Sequence, residues 1–225
     1  MTDSKPVIAI IGGTGNEGAG LAVRWGHAGY PIIIGSRSTE RAELRARELN
    51  RSLHSEQDDY PIRGMANREA AEAGEIIAVT VPYDGHAAIL EEIAPAVQGK
   101  IVIDATVPAR PPKLSIVTIP PGGSASQEAQ SILGPDVSVV TAFQNVSAHH
   151  LQDLEHAVDT DVLVCGDDRG AKQRVIELIK DLGMRGLDVG PLENAIVVEG
   201  LTSLLIGINR RYKADGAGIR ITGLP

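Results

Sequence analysis

Unbroken apolar runs alternate along this chain with segments whose apolar positions recur every three or four residues. Val7–Ile11 is a continuous β-branched run, as expected of a strand buried on both faces. Asn16–Ala28 has helical spacing and stops at Gly29. The alternation repeats through strand Pro31–Gly35, an Arg/Glu-laced helix Thr39–Arg51, a short strand Pro61–Gly64 and a short helix Asn67–Ala73. Strand Glu75–Val81 ends at Pro82, helix Gly85–Val97 follows, and Lys100–Asp104 is a fifth strand. Regular β-α alternation predicts an α/β fold, a doubly wound and mostly parallel Rossmann sheet. The pattern breaks between Ala105 and Gly123, where Pro108, Pro111, Pro112, Pro120 and Pro121 fall. A loop this long is either a wall of a site or a surface excursion. Alternation returns with helix Ser124–Leu133, strands Val137–Thr141 and Val162–Cys165, helix Ala171–Leu182 and a short strand near Arg185–Val189. Glu193–Tyr212 reads as a final helix with Leu201, Leu204, Leu205 and Ile208 on one face. The expected organisation is a nucleotide-binding domain over 1–190, with its core in 1–145 extended by 146–190. A small C-terminal helical segment, 191–225, completes a cleft.

Composition changes this picture only at its margins. The chain has 225 residues, 43% hydrophobic and 22% charged, enough for a sizeable core. Its formal charge is -8, from 21 Lys+Arg against 29 Asp+Glu, which argues against coating nucleic acid or anionic membrane. Aromatic residues make up 3%, so stacking platforms for single strands are scarce. One cysteine, Cys165, rules out an internal disulfide and a thiolate metal cage. No leader-like stretch precedes the first glycines and no run of about 18 apolar residues appears. A cytoplasmic protein with no nucleic-acid or membrane partner is therefore expected.

The first strand runs into Gly13-Thr14-Gly15-Asn16-Glu17-Gly18, a G-x-G-x-x-G that opens a helix, the context in which this pattern binds a dinucleotide. Gly13 is expected to turn with positive φ, Gly15 to admit a pyrophosphate, and Gly18 to bring the helix close to the sheet. Free N–H groups at the helix start face the phosphates. Gly12, Gly15 and Gly18 also fit the G-x-x-G-x-x-G of short-chain dehydrogenases. Those enzymes need Tyr-x-x-x-Lys, and none of Tyr30, Tyr60, Tyr83 and Tyr212 has a lysine four residues on. An NAD site places a carboxylate at the end of the second strand, on the ribose 2′-hydroxyl. Here that strand ends in Ser36-Arg37, with Arg41 one turn later, which suits the 2′-phosphate of NADP.

An acid–base apparatus is less evident. The histidines are His27, His54, His86, His149, His150 and His156, in no metal-binding spacing. His27 and His54 read as solvated. His149 and His150 follow the sixth strand, where a substrate could lie or where a helix could begin. Neither a nucleophile–base pair nor a metal site is legible, so direct hydride exchange between two bound rings is expected, with orientation supplying the rate and no catalytic side chain.

I-G-G-T-G-N-x-G, G-S-R closing the second strand, T-V-P-Y closing the fourth, V-C-G-D-D at 164–168 and D-x-G-P-L at 188–192 occur in order. Together with the G-x-G-I at 216–219, this set resembles the NADPH-dependent reductases of coenzyme F420, an 8-hydroxy-5-deazaflavin. The resemblance implies a homodimer exchanging hydride between NADP(H) and coenzyme F420. It implies NADP on Thr14, Gly15, Asn16, Glu17, Ser36, Arg37 and Arg41, with Val81, Tyr83, Ala87, Ala109 and Ala148 lining the nicotinamide side. The deazaflavin would lie near Gln144, Val146 and Ala217, where the small residues of Gly216–Gly218 admit a flat ring. Lys113, Arg210, Arg211, Lys213 and Arg220 are candidates for its anionic tail; a basic helix end serving the helix dipole accounts for them equally well. The chain departs from a relative at Tyr83, where that relative has tryptophan, and over Gln144–Ser147, where it has His-Thr-Ile-Pro. Two other readings stay open: an NADPH reductase of an imine or keto compound, and a nucleotide sensor without turnover.

Overall fold

The computed structural model describes residues 5–53 and 61–224; His54 and Tyr60 lie outside them. The strands are β1 (Ile8–Ile11), β2 (Ile32–Ser36), β3 (Ile62–Ala66), β4 (Ile76–Val79), β5 (Ile101–Asp104), β6 (Ser138–Thr141), β7 (Asp161–Gly166) and β8 (Arg185–Asp188). They form one sheet in the order β3-β2-β1-β4-β5-β6-β7-β8. β1 to β6 pair in parallel, β6 and β7 antiparallel, and β7 and β8 in parallel again. The doubly wound fold expected from the alternation is present, and the reversal at β7 lies beyond it.

The helices are α1 (Asn16–His27), α2 (Thr39–Ser52), α3 (Asn67–Ala73), α4 (Tyr83–Ile93), α5 (Ala125–Leu133), α6 (Ala148–Gln152), α7 (Arg169–Asp181) and α8 (Ala195–Tyr212). The first strand shows why the central runs are apolar without alternation. Ile8 and Ile10 enter one core with Leu21 and Trp25 of α1, and Ala9 and Ile11 enter the other with Ala70 of α3 and Leu90 of α4. A third, smaller cluster packs Val198 of α8 onto Leu163 and Cys165 of β7. There burial pushes the Cys165 thiol up to about 12.

Several boundaries differ from the sequence reading by one or two residues, and two differ in kind. α4 begins at Tyr83, two residues early, and its end passes into a 3₁₀ turn over Ala94–Ala96. A 3₁₀ turn, Leu192–Asn194, precedes α8. The helix Leu192–Tyr212 is long and apolar enough, by length and composition, to cross a membrane, a feature the sequence reading missed. Only some of its apolar residues face inward: Leu205 is buried, while Val197 and Leu204 are 63% and 51% exposed.

Candidate active site

In this sheet β1 lies between β2 and β4, so the order in which strands are added reverses at the carboxyl ends of β1 and β4, the crevice where such sheets bind ligands. The glycine turn sits there. Gly12, not Gly13, takes the positive φ of +80°. Gly13 N–H is held by the carbonyls of Ile10 and Gly35, and a Cβ on Gly13 would lie 2.7 Å from Ile34 Cβ. Gly13 is thus required for contact with β2 and Gly12 for the turn. A Cβ on Gly18 would meet Thr80 Oγ1 at 2.5 Å, which is the close helix–sheet approach expected of it. Gly15 is open: a Cβ would meet only Gly12 O, at 3.4 Å. It is also the N-cap of α1, and no side chain caps the helix. An uncapped helix start behind an open glycine presents main-chain N–H groups to an anion.

At the end of β2, Ser36 is buried and its Oγ accepts from Ser38 N–H at 3.3 Å. Ser38 caps α2 by accepting from Arg41 N–H. Arg37 and Arg41 are exposed and, among the described residues, in no ion pair. Two exposed guanidinium groups therefore follow the strand that pairs with β1.

The remaining expected residues surround the same strand ends unevenly. Val81 follows β4 and touches the turn: a Cβ on Gly12 would lie 2.7 Å from its Cγ1. Tyr83 and Ala87 occupy the first turns of α4, and Tyr83 OH donates to Glu128 Oε2 of α5 at 2.9 Å. Ala109 lies in the loop after β5, with Arg110 stacked 5.3 Å over the Tyr83 ring. Ala148 opens α6, whose Gln152 donates to Asn16 O, which places it beside the glycine helix. Gln144 follows β6 and Phe143, a residue held at φ 78° and wedged edge-on against Trp25. A bulky residue in that region costs about 1–3 kcal/mol and persists only where packing fixes it. The Val146 side chain packs against the large core. Ala217 lies in the tail, its N–H donating to Asn209 Oδ1. The flat ring close to Gly216 is the His150 imidazole, and a Cβ on Gly218 would meet Thr160. Both glycines thus serve packing inside the protein. Among the tail cations, Arg220 pairs with Asp159 and Asp161, whereas Arg210 and Arg211 occupy the last turn of α8.

One group of residues escaped the sequence reading. His86 is 1% exposed, and its Nε2 lies 3.1 Å from Oδ2 of Asp104, itself 0% exposed. The two groups are thus each other's charged partner inside the core. Burial pushes the His86 imidazole down, but the Asp104 carboxylate, with help from Glu199 and Glu128, more than reverses this and leaves it raised. Glu199 of α8 is also buried; it accepts from Ala125 and Ser126 N–H and so caps α5. Burial, and secondarily Asp104, raise it to about 7 against the pull of those bonds. Glu17 rises to about 8, through burial and then Asp104. A carboxylate ending the apolar strand Ile101–Asp104 was the available signal, since such a group must find a partner.

The two most specific motifs turn out to hold the scaffold. Asp168 caps α7, Asp167 accepts from Leu192 N–H, and Asp188 pairs with Lys172 at 2.8 Å. A groove of about 800 Å³ lined by Gln127, Ser138, Asp167 and Leu192 lies at the amino end of β6, away from the glycine turn.

Sheet, glycine turn, open helix start and free arginines together define a Rossmann-type oxidoreductase of the NADP-linked class. The model of the family described as "NADP oxidoreductase coenzyme F420-dependent" matches residues 7–108. The F420-dependent NADP reductase of Methanocaldococcus jannaschii is 41% identical over 96% of this chain and 98% of its own length. That of Methanothermobacter marburgensis is 40% identical over 97% and 99%. The chain belongs to the family of F420-dependent NADP reductases. A crystal structure from Arthrobacter sp. FB24 shares the fold, with a TM-score of 0.80 at 24% identity over 96% of this chain and 99% of that one.

Proposed function

We propose that the protein exchanges hydride reversibly between NADP(H) and coenzyme F420, the nicotinamide and deazaflavin rings meeting face to face over the ends of β4, β5 and β6. The observation that carries this reading is the full-length kinship to F420-dependent NADP reductases in a chain whose glycine turn and free arginines suit NADP. The N–H groups of Thr14–Gly18 hold the pyrophosphate, and Ser36, Arg37 and Arg41 hold the 2′-phosphate. Val81, Tyr83, Ala87, Ala109 and Ala148 border the nicotinamide, with Gln144, Val146 and Ala217 towards the deazaflavin. The bound rings supply the redox chemistry, so the chain's contribution is alignment and exclusion of water. Residues 1–190 form the nucleotide domain and 191–225 the part that closes the cleft. The outward apolar face of α8 seats a second copy of the chain. Mixing the protein with NADPH and oxidised deazaflavin tests the activity, read as loss of the deazaflavin's visible absorbance. Silence there with turnover of a cyclic imine would replace this reading by the imine reductase, and tight NADPH binding without turnover of either would replace it by a sensor.

A further inference from the structure

β7 runs against β6, so its amino end lies beside the carboxyl end of β6. Thr160 and Asp161 stand there, both buried. They hold Asn145, whose Nδ2 donates to Thr160 Oγ1 at 3.2 Å and to the Asp161 carbonyl at 2.7 Å. The same two residues hold the tail. Ile219 N–H donates to Thr160 Oγ1 at 2.9 Å, Asp161 N–H to the Ile219 carbonyl at 2.7 Å, and Ile221 N–H to Asp161 Oδ2 at 2.6 Å. Arg185, which opens β8, grips the Asp161 carboxylate through Nε at 2.8 Å and Nη2 at 2.6 Å. Its Nη2 also donates to the Ile221 carbonyl at 2.7 Å. The Arg185 bonds hold the Asp161 carboxyl below the ordinary carboxylate range, against the opposing pull of burial.

The tail fits closely against this pair. A Cβ on Gly218 would lie 2.6 Å from Thr160 Cβ. Asn145, Ser147, His150 and Ala217 border one small cavity, so the two segments face a common space. From Ala214 to Leu224 the tail has no helix or strand of its own. Its order therefore depends on the groups that tie it down. We infer that Thr160 and Asp161 are positioning residues for the second substrate. One hydroxyl and one carboxylate set residues 144–146 and the tail around Ala217 at a fixed separation, and so set the ring between them against the nicotinamide. This rests on the reading of Gln144, Val146 and Ala217 as the deazaflavin side. The two residues act through Asn145 and the tail rather than on the ring. The nucleotide side is fastened independently, because Arg24 ties α6 to α1 without the tail. Loosening the latch should then harm the second substrate alone.

The test compares the two substrates in two variants. Asp161→Asn removes the charge that Arg185 grips. Gly218→Ala, at a position without positive φ, adds only the Cβ that collides with Thr160. It lies on the exposed tail, so it decides the matter where the first variant fails to fold. Each variant should lower kcat/KM for the deazaflavin by about tenfold to a hundredfold, the penalty of a ring displaced by about 1 Å. The dissociation constant of NADPH, measured by calorimetry, should stay within about twofold of the wild type. Trypsin should cut after Arg220 at least about threefold faster in each variant, which reads the release of the tail directly. Equal losses for both substrates, unchanged deazaflavin kinetics, or a tail no more open to trypsin would overturn the inference and leave the proposed activity standing. A wild-type protein that does not reduce the deazaflavin would remove the activity and the inference with it.

Discussion

At the end of β2, Ser38 rather than Arg37 caps the following helix, so the exposed Arg37 guanidinium is not used as a cap. A charged hydrogen bond of this kind contributes roughly 1.5–3 kcal/mol. Arg37→Ala should therefore lower the preference for NADPH over NADH by about tenfold to a hundredfold in kcat/KM. An unchanged ratio would assign the 2′-phosphate elsewhere. Glu17 permits a pH prediction on the nucleotide-free protein. Its folded value, about 8, lies above the ordinary carboxyl value of 4.5. The stability associated with the neutral form is complete below about 4.5 and is lost as the pH rises through about 8. Glu17→Gln should thus raise the Tm at about pH 9 by a few degrees, on the order of 2 kcal/mol, and leave it unchanged at about pH 4. The glycine turn and Arg37 were legible in the sequence because each is a local pattern. His86 and Asp104 were not, because they meet only through the pairing of β4 with β5, which sets Val79 opposite Asp104.

Arg24 shows how one element is tied to another. Its guanidinium lies buried on α1 and donates to the carbonyls of His150, Leu151, Asp153 and His156, so α6 and the loop after it are clamped to the glycine helix. Arg24→Met keeps the apolar stem and removes the clamp; it should cost about 2–4 kcal/mol, read from the urea midpoint. The loss should extend to NADPH affinity, since Gln152 of α6 holds Asn16 O. The β-α alternation was readable on both sides of the proline-rich loop because buried strands are written in unbroken apolar runs. α6 was not, because five residues are too few for a helical period. The tail glycines suggested room for a ligand, but a sequence does not reveal which neighbour uses the space that a missing Cβ leaves.

For the molecule as a whole, the apolar surface of α8 is the feature to explain. Val197 and Leu204 stand exposed on it, and Ile119 of the proline-rich loop is 61% exposed. Val117 of that loop lies against Gly200, so loop and helix form one surface. Contiguous apolar surface of this kind marks an interface. Introducing Val197→Glu with Leu204→Glu should convert a dimer into a monomer by sedimentation at micromolar concentration, and a wild-type protein that already sediments as a monomer would refute the assignment. At the foot of the same helix, Cys165 is sealed beneath Val198, and its thiol resists ionisation at any physiological pH. A maleimide has no thiolate to attack until β7 comes away from α8. Because the chain has one sulfhydryl, each labelled molecule records a single opening of that seam. The protein thus carries its own tally of unfolding, readable by mass spectrometry without an added probe site.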